Sequence, residues 1–201
     1  LFRDQNTDFE VQAFDEQLRK VWKKELELDK KQPKPMAITY SETDFTLLYR
    51  FRDDGNTYLK AHKYDPAANL IDSVTVKDFG FLFYTPNYEV VLSEDRSKIM
   101  VYNVERQSQF NVLVFDATAM ELMWEKSFQP DDFTFWENFQ QMLVDDRGNM
   151  HLILTKNNNS TRKDVHYYEI HQYFGEGEIL KANASLEGNL TYDVLFTYDN
   201  L

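Results

Sequence analysis

The side chains in this sequence best suited to chemistry are four histidines and an excess of carboxylates, and their spacing limits what they can do. His62, His151, His166 and His171 form no His-x-His pair and no His-Glu-x-x-His motif. His166 and His171 are five residues apart, so on one strand they face opposite sides, which argues against a histidine metal site. Two acidic clusters, Asp53-Asp54-Gly55-Asn56 and Asp145-Asp146-Arg147-Gly148-Asn149, offer hard oxygen donors of the kind calcium takes. Neither has the spaced acidic pattern of a calcium-binding loop, and turn chemistry alone accounts for Asp, Gly and Asn at such places. There is no cysteine, no Gly-x-Ser-x-Gly elbow, no phosphate-cradling glycine loop and no dinucleotide fingerprint. Two carboxylates facing each other across a channel would suit a glycosidase, yet nothing local singles out a pair. The sequence therefore predicts no catalytic residue, no metal and no cofactor.

Aromatic side chains are the other resource, at 15% of 201 residues. Two segments concentrate them: Phe79-Gly80-Phe81-Leu82-Phe83-Tyr84-Thr85-Pro86-Asn87-Tyr88 and Pro130-Asp131-Asp132-Phe133-Thr134-Phe135-Trp136-Glu137-Asn138-Phe139. Such rings offer large contact area at low rotamer cost, which suits a sugar or a protein hot spot. Phe81, Phe83, Tyr84, Phe133, Phe135 and Trp136 are the candidate binding residues on this reading. The competing reading packs the same rings as core in the seams between sheets.

The elements that position these segments repeat. An aromatic–Asp step closes an alternating run at Phe14-Asp15, Tyr64-Asp65 and Phe115-Asp116, with Asp spacings of 50 and 51, and a degraded step follows at Tyr173-Phe174. Acidic turns at Glu42-Thr43-Asp44, Glu94-Asp95-Arg96, Asp145 to Asn149 and Asp199-Asn200 recur at a similar interval. Between these landmarks apolar residues alternate with a period of two, the mark of half-buried strands. Ala37–Tyr40, Phe45–Phe51, Tyr58–Tyr64 and Leu70–Val76 read as four consecutive strands, and the next two repeats read the same way. Four antiparallel strands per repeat predicts an all-β fold built as a β-propeller, whose blades bury their faces by stacking around an axis. A two-sheet sandwich with evenly spaced strands is the alternative.

The blade-like units span about 1–28 (incomplete), 36–78, 88–129, 139–187 and 191–201, the last supplying only a first strand, Tyr192–Tyr198. Joining the two ends leaves part of a second strand missing, which favours a segment of a longer propeller over a closed ring. Asp29-Lys30-Lys31-Gln32-Pro33-Lys34-Pro35 is charged and carries two prolines, so it reads as an inter-blade loop and not as strand. The two aromatic segments occupy equivalent inter-blade positions and are expected on one face of the disc. A formal net charge of −12 repels phosphate backbones and argues against nucleic acid. No apolar run approaches the roughly 20 residues that cross a bilayer, so no transmembrane segment is expected.

The Phe-Asp-x-x-x-(Leu/Met) step followed by Trp with charged neighbours (Phe14-Asp15 to Leu18 with Trp22; Phe115-Asp116 to Met120 with Trp124), with the Asp145-to-Asn149 turn, resembles the exported β-propeller repeat proteins of Bacteroidota. The second repeat lacks the Trp and the fourth lacks the Asp. The resemblance implies export to the periplasm or cell surface and a binding or scaffold role, and it carries over no catalytic residue; for such a non-catalytic module the aromatic segments point to a protein or glycan as partner. A carbohydrate-active propeller enzyme using channel-facing carboxylates is the alternative. The sequons at Asn158, Asn159 and Asn189 and the tripeptide Asp72-Ser73-Val74 matter only if the protein meets a glycosylating machinery.

Overall fold

The alternating runs fold as strands in a computed structural model, which describes residues 2–4, 9–29, 33–156, 165–187 and 194–200. These residues are all-β apart from one helical turn, and they divide into two units, Leu1–Thr85 and Pro86–Leu201. In the first unit β1 (Phe2–Asp4), β2 (Phe9–Phe14) and β3 (Lys20–Leu26) form one sheet, and β4 (Lys34–Tyr40), β5 (Phe45–Asp53), β6 (Asn56–Tyr64) and β7 (Leu70–Phe81) form a second. In the second unit β8 (Glu89–Leu92), β9 (Lys98–Glu105), β10 (Gln109–Asp116) and β11 (Glu121–Phe128) form one sheet. The turn α1 (Phe135–Asn138) precedes the other, made of β12 (Phe139–Val144), β13 (Met150–Lys156), β14 (Val165–Tyr173) and β15 (Leu180–Glu187). Every sheet uses consecutive strands in sequence order, with antiparallel pairing throughout.

The recurring aspartates are turn-makers. Asp15 Oδ1 accepts the N–H groups of Gln17 and Arg19, and Asp65 Oδ1 accepts those of Ala67 and Asn69. Asp116 Oδ1 accepts those of Thr118 and Ala119, and Asp145 Oδ1 those of Arg147 and Asn149. The chain then passes through a left-handed residue: Leu18, Ala68, Met120 and Gly148 have φ of 60°, 58°, 57° and 82°. In the Asp15, Asp65 and Asp145 turns the residue at that position donates its N–H back to the aspartate carbonyl. One chemical device thus closes hairpins in both units, and its regular placement at Asp15, Asp65 and Asp116 is what the sequence repeat records.

In each unit two sheets pack face to face. Leu47, Tyr49 and Tyr64 of the β4–β7 sheet meet Phe9 and Leu26 of the β1–β3 sheet. Met100, Phe110, Val112, Val114 and Trp124 of the β8–β11 sheet meet Met142, Val144, Met150, Leu152 and Leu154 of the β12–β15 sheet. The central strands are buried on both sides, with consecutive buried runs at Thr46–Tyr49, Ile99–Asn103, Val112–Phe115 and Leu152–Leu154.

Several sequence expectations change. Pro35 lies inside β4 and not in a loop, because β4 is the edge strand and the register shifts between Pro35 and Ala37, where a missing N–H is tolerated. Strand β7 runs on to Phe81, so the first aromatic segment begins within the sheet, with Phe81 paired to Asn56. Residues 194–200 form no strand. They lie beside the β12–β15 sheet through side chains: Gln140 Nε2 and Gln141 Nε2 donate to the carbonyls of Val194 and Phe196, the Phe196 N–H returns to Gln141 Oε1, and Phe196 packs on Tyr168. Asn158, Asn159 and Asn189 lie outside the described residues, as does the start of the expected strand at Tyr192.

Candidate functional site: an acidic cleft with an aromatic wall

The tip of the β5–β6 hairpin builds one wall of a cleft in the first unit. Asp54 and Gly55 both take positive φ, 48° and 86°, as a two-residue hairpin turn of this hand requires. A Cβ on Gly55 would stand 3.3 Å from the Phe81 ring, so the glycine also lets that ring lie against the turn. Arg52 donates from Nη2 to the carbonyl of Leu82 and ties the end of β7 to the same hairpin. The opposite wall is the end of β3 and its continuation, from Glu25 to Asp29, with Phe9 beneath. The cleft between them measures about 1330 Å³, and among the described residues it is lined by five carboxylates (Glu25, Glu27, Asp29, Asp53, Asp54) and one guanidinium (Arg52), with Phe81 and Phe83 on its aromatic side. That imbalance makes it a place for hydrogen-bond donors and positive charge.

Asp29 connects the cleft to a buried polar relay. Its Oδ2 accepts from the hydroxyl of Tyr49 at 2.7 Å and pairs with the ammonium of Lys60. Tyr49 spends its hydrogen on Asp29, so it must accept from His62 Nε2, 2.9 Å away. His62 Nδ1 is then the unprotonated nitrogen and accepts from the Tyr64 hydroxyl at 3.0 Å. The relay runs Tyr64, His62, Tyr49, Asp29, with every proton placed by its neighbour. Burial, helped by the nearby Lys60 charge, pushes His62 down to about 4 against the pull of Asp29. Partial burial works to raise Asp29, but the hydrogen bonds from Lys60 and Tyr49 prevail and hold its carboxyl below the usual range. Burial, reinforced by the Asp29 charge, raises both tyrosine hydroxyls.

The six predicted contact residues divide by unit. Phe81, Phe83 and Tyr84 are 69%, 76% and 80% exposed, and Phe83 and Tyr84 meet edge to face at 4.9 Å. Of the three in the second unit only Trp136 projects, at 79% exposure. Phe133 is core: it is buried against Phe110, because the segment turns inward between the buried Pro130 and the start of α1. Phe135 is half-buried and stacks on Phe139 at 4.7 Å. The backbone that presents Trp136 is pinned. Phe135 N–H donates to the Gln107 carbonyl, Asn138 Oδ1 accepts from Thr134 N–H, and Asn138 Nδ2 donates to the Thr155 carbonyl. Lys156 and Lys181 both reach Asp131 in the same loop.

Sequence reasoning missed the relay. A period-two signal was present, since Lys60, His62 and Tyr64 share one face of β6. The pairings that bring Tyr49 opposite Lys60 and Leu47 opposite His62 belong to the hairpin register, and Asp29 sits in a segment read only as linker. The remaining three histidines belong to the second unit: His151 contacts Asp145 and Gln172 and stacks on Tyr198, His166 is buried, and His171 bonds Glu169. Among the described residues no group of three or more His, Asp or Glu could hold a metal ion, and no helix is long and apolar enough to cross a membrane. In comparisons with known proteins, no family model and no curated protein matches this chain.

Proposed function

We propose that the chain is a non-catalytic binding or scaffold module, whose cleft in the first unit takes a protein or glycan against Phe81 and Phe83. One observation carries this reading: two exposed rings, Phe81 held against the hairpin turn and Phe83 just beyond β7, border a cleft whose charged lining, among the described residues, is five parts acidic to one part basic. Rings with carboxylates beside them suit ligands that present hydrogen-bond donors on an apolar face, such as sugar hydroxyls or the basic side chains of a protein partner. Among the described residues, every carboxyl that its surroundings shift, from Asp15 and Asp29 to Asp145 and Glu169, is shifted toward the ionised form. Fixed charges of this kind serve recognition better than proton donation to a leaving group, which calls for a raised carboxyl.

We further propose that the sheets are successive blades of a β-propeller, of the kind found in exported Bacteroidota repeat proteins at the periplasm or cell surface. Burial of consecutive residues in the central strands supports this, since a blade is covered on both faces whereas a two-sheet sandwich buries one.

Glycan and peptide arrays probed with the 201-residue chain, followed by titration calorimetry on the strongest hit, test the binding reading. Phe81→Ala/Phe83→Ala is expected to weaken that interaction by about tenfold to a hundredfold with the circular dichroism unchanged. Equal affinity for the double variant and the wild type would sink it.

A further inference from the structure

An edge strand exposes a row of unpaired backbone groups, and proteins blunt it with short length, bulges or proline. Six of the eight described sheet edges are blunted in one of these ways. β8 has only four residues. β4 carries Pro35 and a register shift, and β3, β7, β11 and β12 each pair with a register shift. β15 differs from these: its eight residues pair with β14 from Glu187 to Leu180 without interruption and contain neither proline nor glycine. Its residues are exposed except for the half-buried Ala184, and Leu180 and Leu186 stand 56% and 41% open.

The sequence of this edge is self-complementary. Leu180, Ala182, Ala184 and Leu186 alternate with Lys181, Asn183, Ser185 and Glu187. An antiparallel copy centred on Ala184 sets Ala182 against Leu186, Asn183 against Ser185 and Lys181 against Glu187, each match occurring twice by symmetry. Centring on Asn183 instead leaves Lys181 opposite Ser185 and forfeits the charge pairs. Lys181 is already drawn to this side of the sheet by Asp131, 2.7 Å away, and remains 46% exposed. We propose that two copies of this chain dock through β15, continuing the β12–β15 sheet across a twofold axis at Ala184. The occupant of the edge is a second copy because its own residues supply the complement.

Sedimentation equilibrium of the purified chain tests this, with hydrogen exchange of the β15 amides as a second readout. The expected result is a monomer–dimer equilibrium in which β15 amides gain protection as concentration rises. Lys181→Glu sets like charges against each other at both ends and weakens the dimer by about tenfold. Lys181→Glu/Glu187→Lys restores it, and Asp131→Asn, which removes only the lysine's partner in the loop, leaves the dimer in place. A monomer at every concentration, a dimer indifferent to Lys181→Glu, or a double variant that fails to recover would each overturn the proposal.

Discussion

His62 is buried between two tyrosine hydroxyls and is neutral because both of its nitrogens are already committed, one donating to Tyr49 and one accepting from Tyr64. A second proton on Nδ1 would face a hydroxyl that is itself turned toward the ring, in a site where burial disfavours charge. The folded-state pKa, about 4, lies below the ordinary 6.5. The unfolded chain therefore binds a proton that the folded chain refuses between those values, so stability is full above the window and falls as pH drops through it. Urea midpoints measured from pH 7 downward should show this slope in the wild type. His62→Gln, which cannot titrate, should show a shallower slope together with a general loss of about 1–3 kcal/mol from tyrosine hydroxyls left unpaired. Parallel slopes in the two proteins would show that His62 contributes nothing to the acid response.

The Asp-closed turn is the repeated element, and each copy solves the same backbone problem with a different residue. A left-handed φ costs a side-chain-bearing residue about 1–2 kcal/mol relative to glycine, and Leu18 bears that strain while 82% exposed. Leu18→Gly should accordingly raise stability by about 0.5–1 kcal/mol, less the added freedom of the unfolded chain. Gly148 is the opposite case. At φ 82° a Cβ would also stand 2.7 Å from Met123 Sδ, while the Gly148 carbonyl accepts from Trp124 Nε1 at 2.9 Å. Gly148→Ala should lose about 1–2 kcal/mol, because Met123 can swing aside but the backbone conformation cannot change without disturbing the Trp124 contact. Thermal melts of the two variants moving in the same direction would contradict this account. The aspartate step was legible in the sequence because its hydrogen bonds are local. The left-handed residue was hidden where it is Leu, Ala or Met, since only glycine advertises that conformation.

At the scale of the whole chain, 34 acidic against 22 basic side chains repel one another at neutral pH. Salt of about 0.1 M screens exposed charges over roughly 10 Å, whereas partly buried pairs such as Lys98–Asp116 are screened less. The melting temperature at pH 7 should therefore rise between very low and physiological ionic strength, and a fall would mean that attractive pairs dominate the charge balance. The period-two runs determined on their own that the chain is all-β, with strands that pair in sequence order, because alternation and turn chemistry are properties of neighbours along the chain. The same locality explains why proline misled at Pro35: whether a missing N–H matters depends on which strand is an edge. It also explains why Phe133 and Trp136, three residues apart in one aromatic run, end up buried and exposed. Only the tertiary structure assembled Asp29, Tyr49, His62 and Tyr64, set Phe81 against the Asp54–Gly55 turn, and left β15 as a long, regular open edge. Those features arise from contacts between segments distant in sequence, and no local pattern encodes a distance across a sheet or a cleft.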